Sequence, residues 1–202
     1  METESILLAK TAYGEDTQRL LFLCARSGFF AAFKKSSKRL TGKAQPDLFD
    51  TATVLFEDGR KNKVLFLKSY DTKVRREKIS KQYQRFEIAC RLARLIIKNG
   101  AYLEDALQTF RLTEVALDAF NNLNAPPPFI YLKFLYLLLR QEGFPVRQSW
   151  RQNLPQRNAE ILAPILQLPT EDLYEHSISH GQELILDLEK WARSETSLQI
   201  PS

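Results

Sequence analysis

The chain has 202 residues, of which 44% are apolar and 26% are charged, and these proportions exclude a disordered chain and a single short module. The longest apolar run, residues 129–139, is interrupted by Lys133 and falls short of the roughly 20 residues that cross a bilayer, so it predicts a core helix. The net charge of +5 divides unevenly: residues 1–85 carry 18 basic and 10 acidic side chains, and residues 86–202 carry 11 and 14, which favours a polyanion-binding front half.

The first ten residues, METESILLAK, lack the basic start and long apolar segment of a signal peptide, so we expect a cytoplasmic protein without a membrane anchor. Cys24 and Cys90 lie in separate apolar segments, and the sequence has no Cys-x-x-Cys motif. Both cysteines are therefore predicted to be reduced core residues, and no cofactor is expected.

Residues 5–70 alternate between apolar and polar side chains and are rich in β-branched and aromatic residues, which predicts a β domain. Turn signals at Gly14, Gly28 and Gly59 separate the apolar runs. The predicted strands are residues 6–13, 18–26, 28–35, 48–57 and 63–70. Five strands are the number in an OB-type barrel, so we predict such a barrel over residues 1–72.

A basic cluster follows the third predicted strand, and no acidic residue lies between Asp16 and Asp47 to neutralise it. The cluster consists of Lys34, Lys35, Lys38, Arg39 and Lys43. It is either a solvated loop or a loop that binds nucleic-acid phosphates. Strand alternation places Phe29 and Phe33 on one face and Phe30 on the other, and each ring is either a core residue or a surface for base stacking.

From residue 71 onward the apolar period becomes helical, which predicts an all-α domain over residues 73–202 and an α+β fold for the chain. The first helix is predicted to end at Asn99 and to bury one apolar face. The residues of that face are Ile79, Tyr83, Phe86, Cys90, Ala93 and Ile97. Further helices are predicted at residues 103–121, 129–141, 156–167 and 170–193, and residues 194–202 are predicted to be frayed.

The sequence offers weak evidence for catalysis, because the common nucleotide-binding, hydrolase and zinc-protease motifs are missing. His176 and His180 are spaced for one helix face, but spacing suggests no third metal ligand. Asp47 and Glu57 are arranged as in a metal nuclease, but Gly59 stands where such a site has a lysine. We therefore expect that the protein is not an enzyme.

The order of these features resembles the bacterial RecO family of recombination mediators over about residues 5–146. An apolar strand, Tyr13, Glu15 and a second strand ending at Ser27-Gly28 follow the family's opening pattern. A lysine-rich segment and then Gln45-Pro46 follow as in the family. The helical part contributes Lys133-Phe134, Leu138-Leu139 and Gly143-Phe144.

The chain departs from that family in two places. The family's Lys-Gly-Ala-Arg after the third strand is here Lys34-Lys35-Ser36-Ser37, without the glycine. The four-cysteine zinc module that many members carry after the Gly-Tyr position is missing, so no zinc is expected.

The resemblance implies an OB-fold DNA-binding protein that works in DNA repair and recombination. Such a protein binds single- and double-stranded DNA, anneals complementary strands, contacts the acidic C-terminal tail of single-strand-binding protein, and works with RecR to load RecA. DNA binding is assigned to the basic cluster. Lys133 matches the family's basic position near the tail-binding pocket, and Arg91, Arg94 and Arg140 are further candidates for partner contact. The alternative function is an interaction scaffold of the same fold that has lost DNA annealing.

Overall fold

The structure is a computed structural model that describes residues 2–35, 45–59, 64–173 and 178–201. Its five strands close into a barrel in the order β1-β2-β3-β5-β4, in which β3 and β5 are parallel and all other neighbours are antiparallel. The strands are β1 (Glu2–Ala12), β2 (Thr17–Cys24), β3 (Gly28–Lys35), β4 (Thr51–Asp58) and β5 (Leu65–Val74). The predicted OB-type barrel followed by helices is confirmed.

Alternate residues of the strands fill the interior of the barrel, as the period of two requires. The core residues are Leu7, Leu20, Phe22, Ala32, Ala52, Val54, Phe56, Leu67 and Tyr70. The register of β1 against β2 shifts between Leu7 and Ala9, and Leu7 and Leu8 at this irregularity are both buried.

The fourth strand begins at Thr51 and not at residue 48 as predicted. Phe49 adopts a φ of 67° in the turn before the strand, and its side chain is buried. Its N–H donates to the carbonyl of Leu7 over 2.8 Å, so the turn is tied to β1. An apolar residue in this turn gives the same local pattern as a strand residue, which is why the predicted strand started too early.

Helices make up the rest of the chain. They are α1 (Tyr83–Asn99), α2 (Ala106–Asn121), α3 (Pro127–Gln141), α4 (Gln156–Gln167) and α5 (Ile178–Glu195), with short helical turns between some of them. None of the helices in the described ranges is long and apolar enough to cross a bilayer. The chain forms two compact units, residues 1–76 with 100–114, and residues 77–99 with 115–202. The first division lies near the predicted boundary after residue 72, and residues 100–114 group with the strands.

The predicted apolar face of α1 is only partly correct, since Ile79 and Ala93 are buried but the other four residues are not. Tyr83 is 81% exposed, and Phe86, Cys90 and Ile97 are only half-buried. The residues of α1 that are buried are Arg85, Ala89, Leu92, Ala93, Leu95, Ile96 and Asn99. The buried face of α1 therefore ends in two polar side chains, Arg85 and Asn99. A search for apolar periodicity does not predict that such residues are buried.

Arg85 explains why a charged residue lies on the buried face. Its guanidinium donates to four backbone carbonyls just beyond or at the C-terminal end of α2, at distances of 2.9 to 3.0 Å. The acceptors belong to Phe120, Asn122, Leu123 and Ala125. The last carbonyls of a helix have no partner within the helix, so Arg85 supplies a donor to Phe120 at the end of α2 and to three carbonyls of the segment that follows.

The prediction of a frayed C-terminus is also wrong. The N–H of Gln199 donates to the side-chain oxygen of Asn99 over 2.8 Å, and the Asn99 amide donates back to the carbonyl of Gln199 over 3.0 Å. Leu198 and Ile200 are buried. The final segment is therefore part of the helical unit.

Candidate functional site

The third strand divides its aromatic residues between the two faces of the barrel wall, as predicted. Phe30 points inward, where its ring centroid lies 5.7 Å from that of Phe22 and 4.9 Å from that of Phe56. Ala32 is fully buried on the same face. Phe29 and Phe33 lie on the opposite, outer face because side chains alternate along a strand. Phe30 is thus a core residue, whereas Phe33 lies outside the barrel core.

Three rings meet on the outer face, and we call Tyr13, Phe33 and Phe66 the outer aromatic cluster. The edge of the Tyr13 ring approaches Phe33, with centroids 5.0 Å apart, and the Phe33 and Phe66 centroids are 6.3 Å apart. Tyr13 is 60% exposed, and the other two rings are half-buried. The pairing of β3 with β5 places Phe33 directly beside Phe66.

Basic side chains border the outer aromatic cluster. The ammonium group of Lys35 lies 5.9 Å from the Phe66 ring centroid, in cation–π range. Arg19 is the cross-strand neighbour of Phe33 on β2 and is exposed. The row Arg19, Phe33 and Phe66 thus crosses three strands and joins a cation to two rings.

The structure separates Lys34 from Lys35. Lys34 lies on the other side of β3, where its ammonium group donates to the Gln45 side chain over 2.8 Å. The Gln45 carbonyl also accepts a hydrogen bond from Arg75. The other predicted DNA-binding residues, Lys38, Arg39 and Lys43, lie outside the described residues.

The residues considered for metal chemistry have other partners. Partial burial opposes ionisation of Asp47, yet hydrogen bonds from Lys10 and the Leu48 N–H hold the pKa of this carboxyl below its ordinary value. Glu57 lies 3.8 Å from Lys68, and His180 contacts Arg157. Within the described part of the chain, no group of three or more histidine, cysteine or acidic side chains is placed to hold a metal ion, and His176 lies outside it.

The helical unit carries a groove of about 380 Å³ between α1, α3 and α5. Arg91 and Arg94, both predicted to contact a partner, lie in its wall one helical turn apart. Its other lining residues are Gln84, Glu87, Ile88, Pro128, Tyr131, Gln182, Ile185 and Leu186. The groove therefore combines two cations and one carboxylate with apolar side chains from all three helices.

Arg91 is held in place by a buried carboxylate. Glu189 is fully buried, and its carboxylate accepts hydrogen bonds from Arg91, from the Tyr131 hydroxyl over 2.9 Å and from Arg193 over 3.4 Å. The Arg91 guanidinium also lies 5.3 Å from the Tyr131 ring centroid. Burial and the nearby Glu189 charge raise the pKa of Tyr131, so its hydroxyl stays a donor. Arg94 is exposed and lines the same groove.

The other two predicted partner residues lie apart from this groove. Lys133 donates to the Leu168 carbonyl over 2.7 Å, and burial lowers the pKa of its ammonium group. It stands two residues from Tyr131 on α3, which places it on a different side of that helix. Arg140 lines a separate depression of about 320 Å³ together with Arg147 and Gln148.

Sequence reasoning missed the residues that complete both sites. The sequence pattern identifies Tyr13 only as part of a turn motif and Phe66 only as a strand residue. Glu189 stands four residues after Ile185 and three before Ala192, within the apolar stripe of α5. A carboxylate at such a position was the available signal for a buried ion pair.

The chain was compared with known proteins, and neither a protein-family model nor a curated protein sequence matches it.

Proposed function

We propose that the protein is a non-catalytic, RecO-like mediator that binds single- and double-stranded DNA and anneals complementary strands. The observation that supports this most directly is the cationic outer side of β2 and β3. Arg19 and Lys35 are exposed there, and the sequence continues from Lys35 into a segment with three further cations, Lys38, Arg39 and Lys43. Such a concentration of positive charge beside a barrel wall favours a phosphate chain as its ligand.

Annealing places modest chemical demands on this surface. Two complementary strands repel each other through their phosphates, and a surface that neutralises both lowers the repulsion. Base pairing then completes the reaction without a nucleotide or a metal ion. A basic barrel surface is therefore sufficient for the proposed activity.

The DNA-binding proposal is tested by replacing Lys34, Lys35, Lys38 and Arg39 with alanine. We expect a strong loss of affinity for a single-stranded oligonucleotide, with the slope of log K against log salt falling by about 0.7 for each phosphate contact removed. A control variant with the same charge change replaces Lys78, Lys81, Lys98 and Lys190, which are exposed in the helical unit. Equal affinity of the barrel variant and the wild type would refute the assignment.

The groove supports a proposal for the protein partner. The acidic C-terminal tail of single-strand-binding protein offers carboxylates, and the groove offers Arg94 beside the apolar Ile88 and Leu186. Arg91 contributes less free charge because Glu189 already neutralises it. We therefore assign the tail to the groove and give Arg94 the main electrostatic role.

Peptide binding separates this site from the Lys133 position that the family resemblance implies. Arg94→Glu is expected to abolish binding of a tail peptide in a fluorescence anisotropy titration, and Glu87→Gln at the same groove is expected to strengthen it. Lys98→Glu makes the same charge change on the exposed side of α1 and serves as the control. If Lys133→Glu abolishes binding and Arg94→Glu does not, the partner site lies at Lys133.

The wider role follows from the same resemblance. With RecR, the protein would load RecA onto DNA coated with single-strand-binding protein, in cytoplasmic DNA repair. The groove also favours the alternative function, an interaction scaffold without annealing activity. An annealing assay with complementary oligonucleotides, bare and coated with single-strand-binding protein, distinguishes the two, since a scaffold leaves the spontaneous annealing rate unchanged.

A further inference from the structure

The outer aromatic cluster lies on the outside of the barrel wall, so its apolar surface does not contribute to the barrel core. The interior is already filled by Phe22, Phe30 and Phe56, which contact one another. Phe33 and Phe66 alternate with core residues and so lie on the outside of the wall. Tyr13 extends the cluster with a ring that is mostly exposed. Aromatic rings grouped on an outer strand face are typical of a binding surface.

We infer that the outer aromatic cluster stacks on unpaired nucleobases and makes the barrel selective for single-stranded nucleic acid. This inference rests on the proposed DNA-binding function and assigns residues to it that charge alone does not identify. Every base has two aromatic faces, so stacking is largely independent of sequence. A ring pair with centroids 6.3 Å apart, joined edge-on by a third ring, offers adjoining contacts for neighbouring bases.

The cations beside the rings hold the phosphate chain while the bases turn toward the rings. Lys35 lies next to Phe66, and Arg19 lies next to Phe33 on the neighbouring strand. On the far side of Phe66 the row continues to Glu57 of β4, which is paired with Lys68. The Glu57–Lys68 pair carries no net charge, so the positive charge that attracts a phosphate chain lies on the side of the cluster that carries Arg19 and Lys35.

Duplex DNA cannot use the rings in this way. Its base faces are covered by neighbouring base pairs, and only phosphates and base edges are accessible to a flat barrel wall. A duplex therefore gains from the cations and gains nothing from the rings. The cluster consequently adds affinity for single strands alone.

The test replaces Phe33 and Phe66 together by leucine, which keeps apolar bulk on the strands and removes the flat faces. A second variant, Tyr13→Leu, changes an exposed ring and leaves the barrel core untouched. Tyr102→Leu is the matched control, since Tyr102 is 79% exposed in the same unit. Each variant is titrated with oligo-dT, with an abasic oligonucleotide of equal length and with a hairpin duplex, and its folding is checked by circular dichroism.

The double variant is expected to bind oligo-dT about tenfold or more weakly, and Tyr13→Leu several-fold more weakly, with an unchanged salt slope. Affinity for the abasic strand and the duplex should stay within about twofold of the wild type. Unchanged affinity for oligo-dT in both variants, or an equal loss on all three ligands, would overturn the stacking inference. In either case salt-dependent binding by the wild type would still uphold the proposed function, whereas a wild type that binds none of the ligands refutes both.

Discussion

Gly181 of α5 provides a test of how closely α3 and α5 are packed. A Cβ built on Gly181 would lie 2.5 Å from Cε1 and 2.9 Å from Cδ1 of the buried Phe129 ring. Carbon atoms in contact normally stand about 3.5 to 4.0 Å apart, so the ring or the helix must move by roughly 1 Å. The glycine therefore permits an approach of the two helices that any other residue would prevent.

Two opposing effects decide the result of Gly181→Ala. In an exposed helix the change stabilises by about 1 kcal/mol through higher helix propensity. Overpacking a buried interface costs about 1 to 3 kcal/mol, and Phe129 is 1% exposed and has little room to move. We expect the steric cost to prevail, with a net loss of about 1 to 2 kcal/mol and a Tm lower by about 2 to 8 °C, measured by thermal and urea denaturation.

A double-mutant cycle identifies the cause. In a Phe129→Leu background the smaller side chain gives the new methyl group space, so Gly181→Ala should become neutral or stabilising. If the single Gly181→Ala variant is itself more stable than the wild type by about 1 kcal/mol, then α3 and α5 are farther apart than the structure shows.

Three further predictions concern buried polar groups. Arg85→Met removes the donor of four hydrogen bonds to backbone carbonyls and should lower stability by about 3 to 5 kcal/mol in urea denaturation, with Arg85→Lys recovering only part of the loss. Burial raises the pKa of Asp50 above its ordinary value of 3.8, despite the opposing charge of Arg75. The folded state therefore binds a proton at Asp50 more tightly than the unfolded state does, and the free energy of unfolding should fall as pH rises above about 4. Asp50→Asn should flatten this decline in a series of denaturation experiments from about pH 4 to pH 7. Asn99→Ala removes both hydrogen bonds to Gln199 and should make the C-terminal residues sensitive to carboxypeptidase, as followed by mass spectrometry.

Local patterns predicted the five strands and the main helices, but not all of their bounds, since the last helix begins at Ile178 and not at residue 170. Period-two alternation and glycine turns predict the barrel strands, and the helix at residues 156–167 has the predicted bounds. The buried face of α1 was not predictable in this way. Arg85 and Asn99 are buried because their partners are backbone groups far along the chain, and apolar periodicity counts such residues as exposed. The prediction failed where burial depends on hydrogen bonding and not on hydrophobicity.

The candidate sites show a similar limit. Alternation along β3 correctly separates Phe30 from Phe33, and it equally separates Lys34 from Lys35, although the sequence reasoning treated the two lysines as one cluster. The contact between Phe33 and Phe66 depends on the parallel pairing of β3 with β5. In the sequence, β4 lies between β3 and β5, so their pairing depends on how the barrel closes. No local sequence pattern predicts it.

The two sites also differ in how their cations are neutralised, and this difference determines how salt affects them. Lys35 lies beside the Phe66 ring, so in the proposed complex a phosphate chain would supply most of its compensating charge, and we expect that binding to weaken steeply as salt is added. Arg91 already shares the buried carboxylate of Glu189, which leaves Arg94 and the apolar walls to hold a ligand in the groove. Apolar contacts are not screened by salt. We therefore expect the affinity for an oligonucleotide at the barrel to fall more steeply with salt than the affinity for a peptide at the groove, where the exposed Arg94 is the main charge that salt screens.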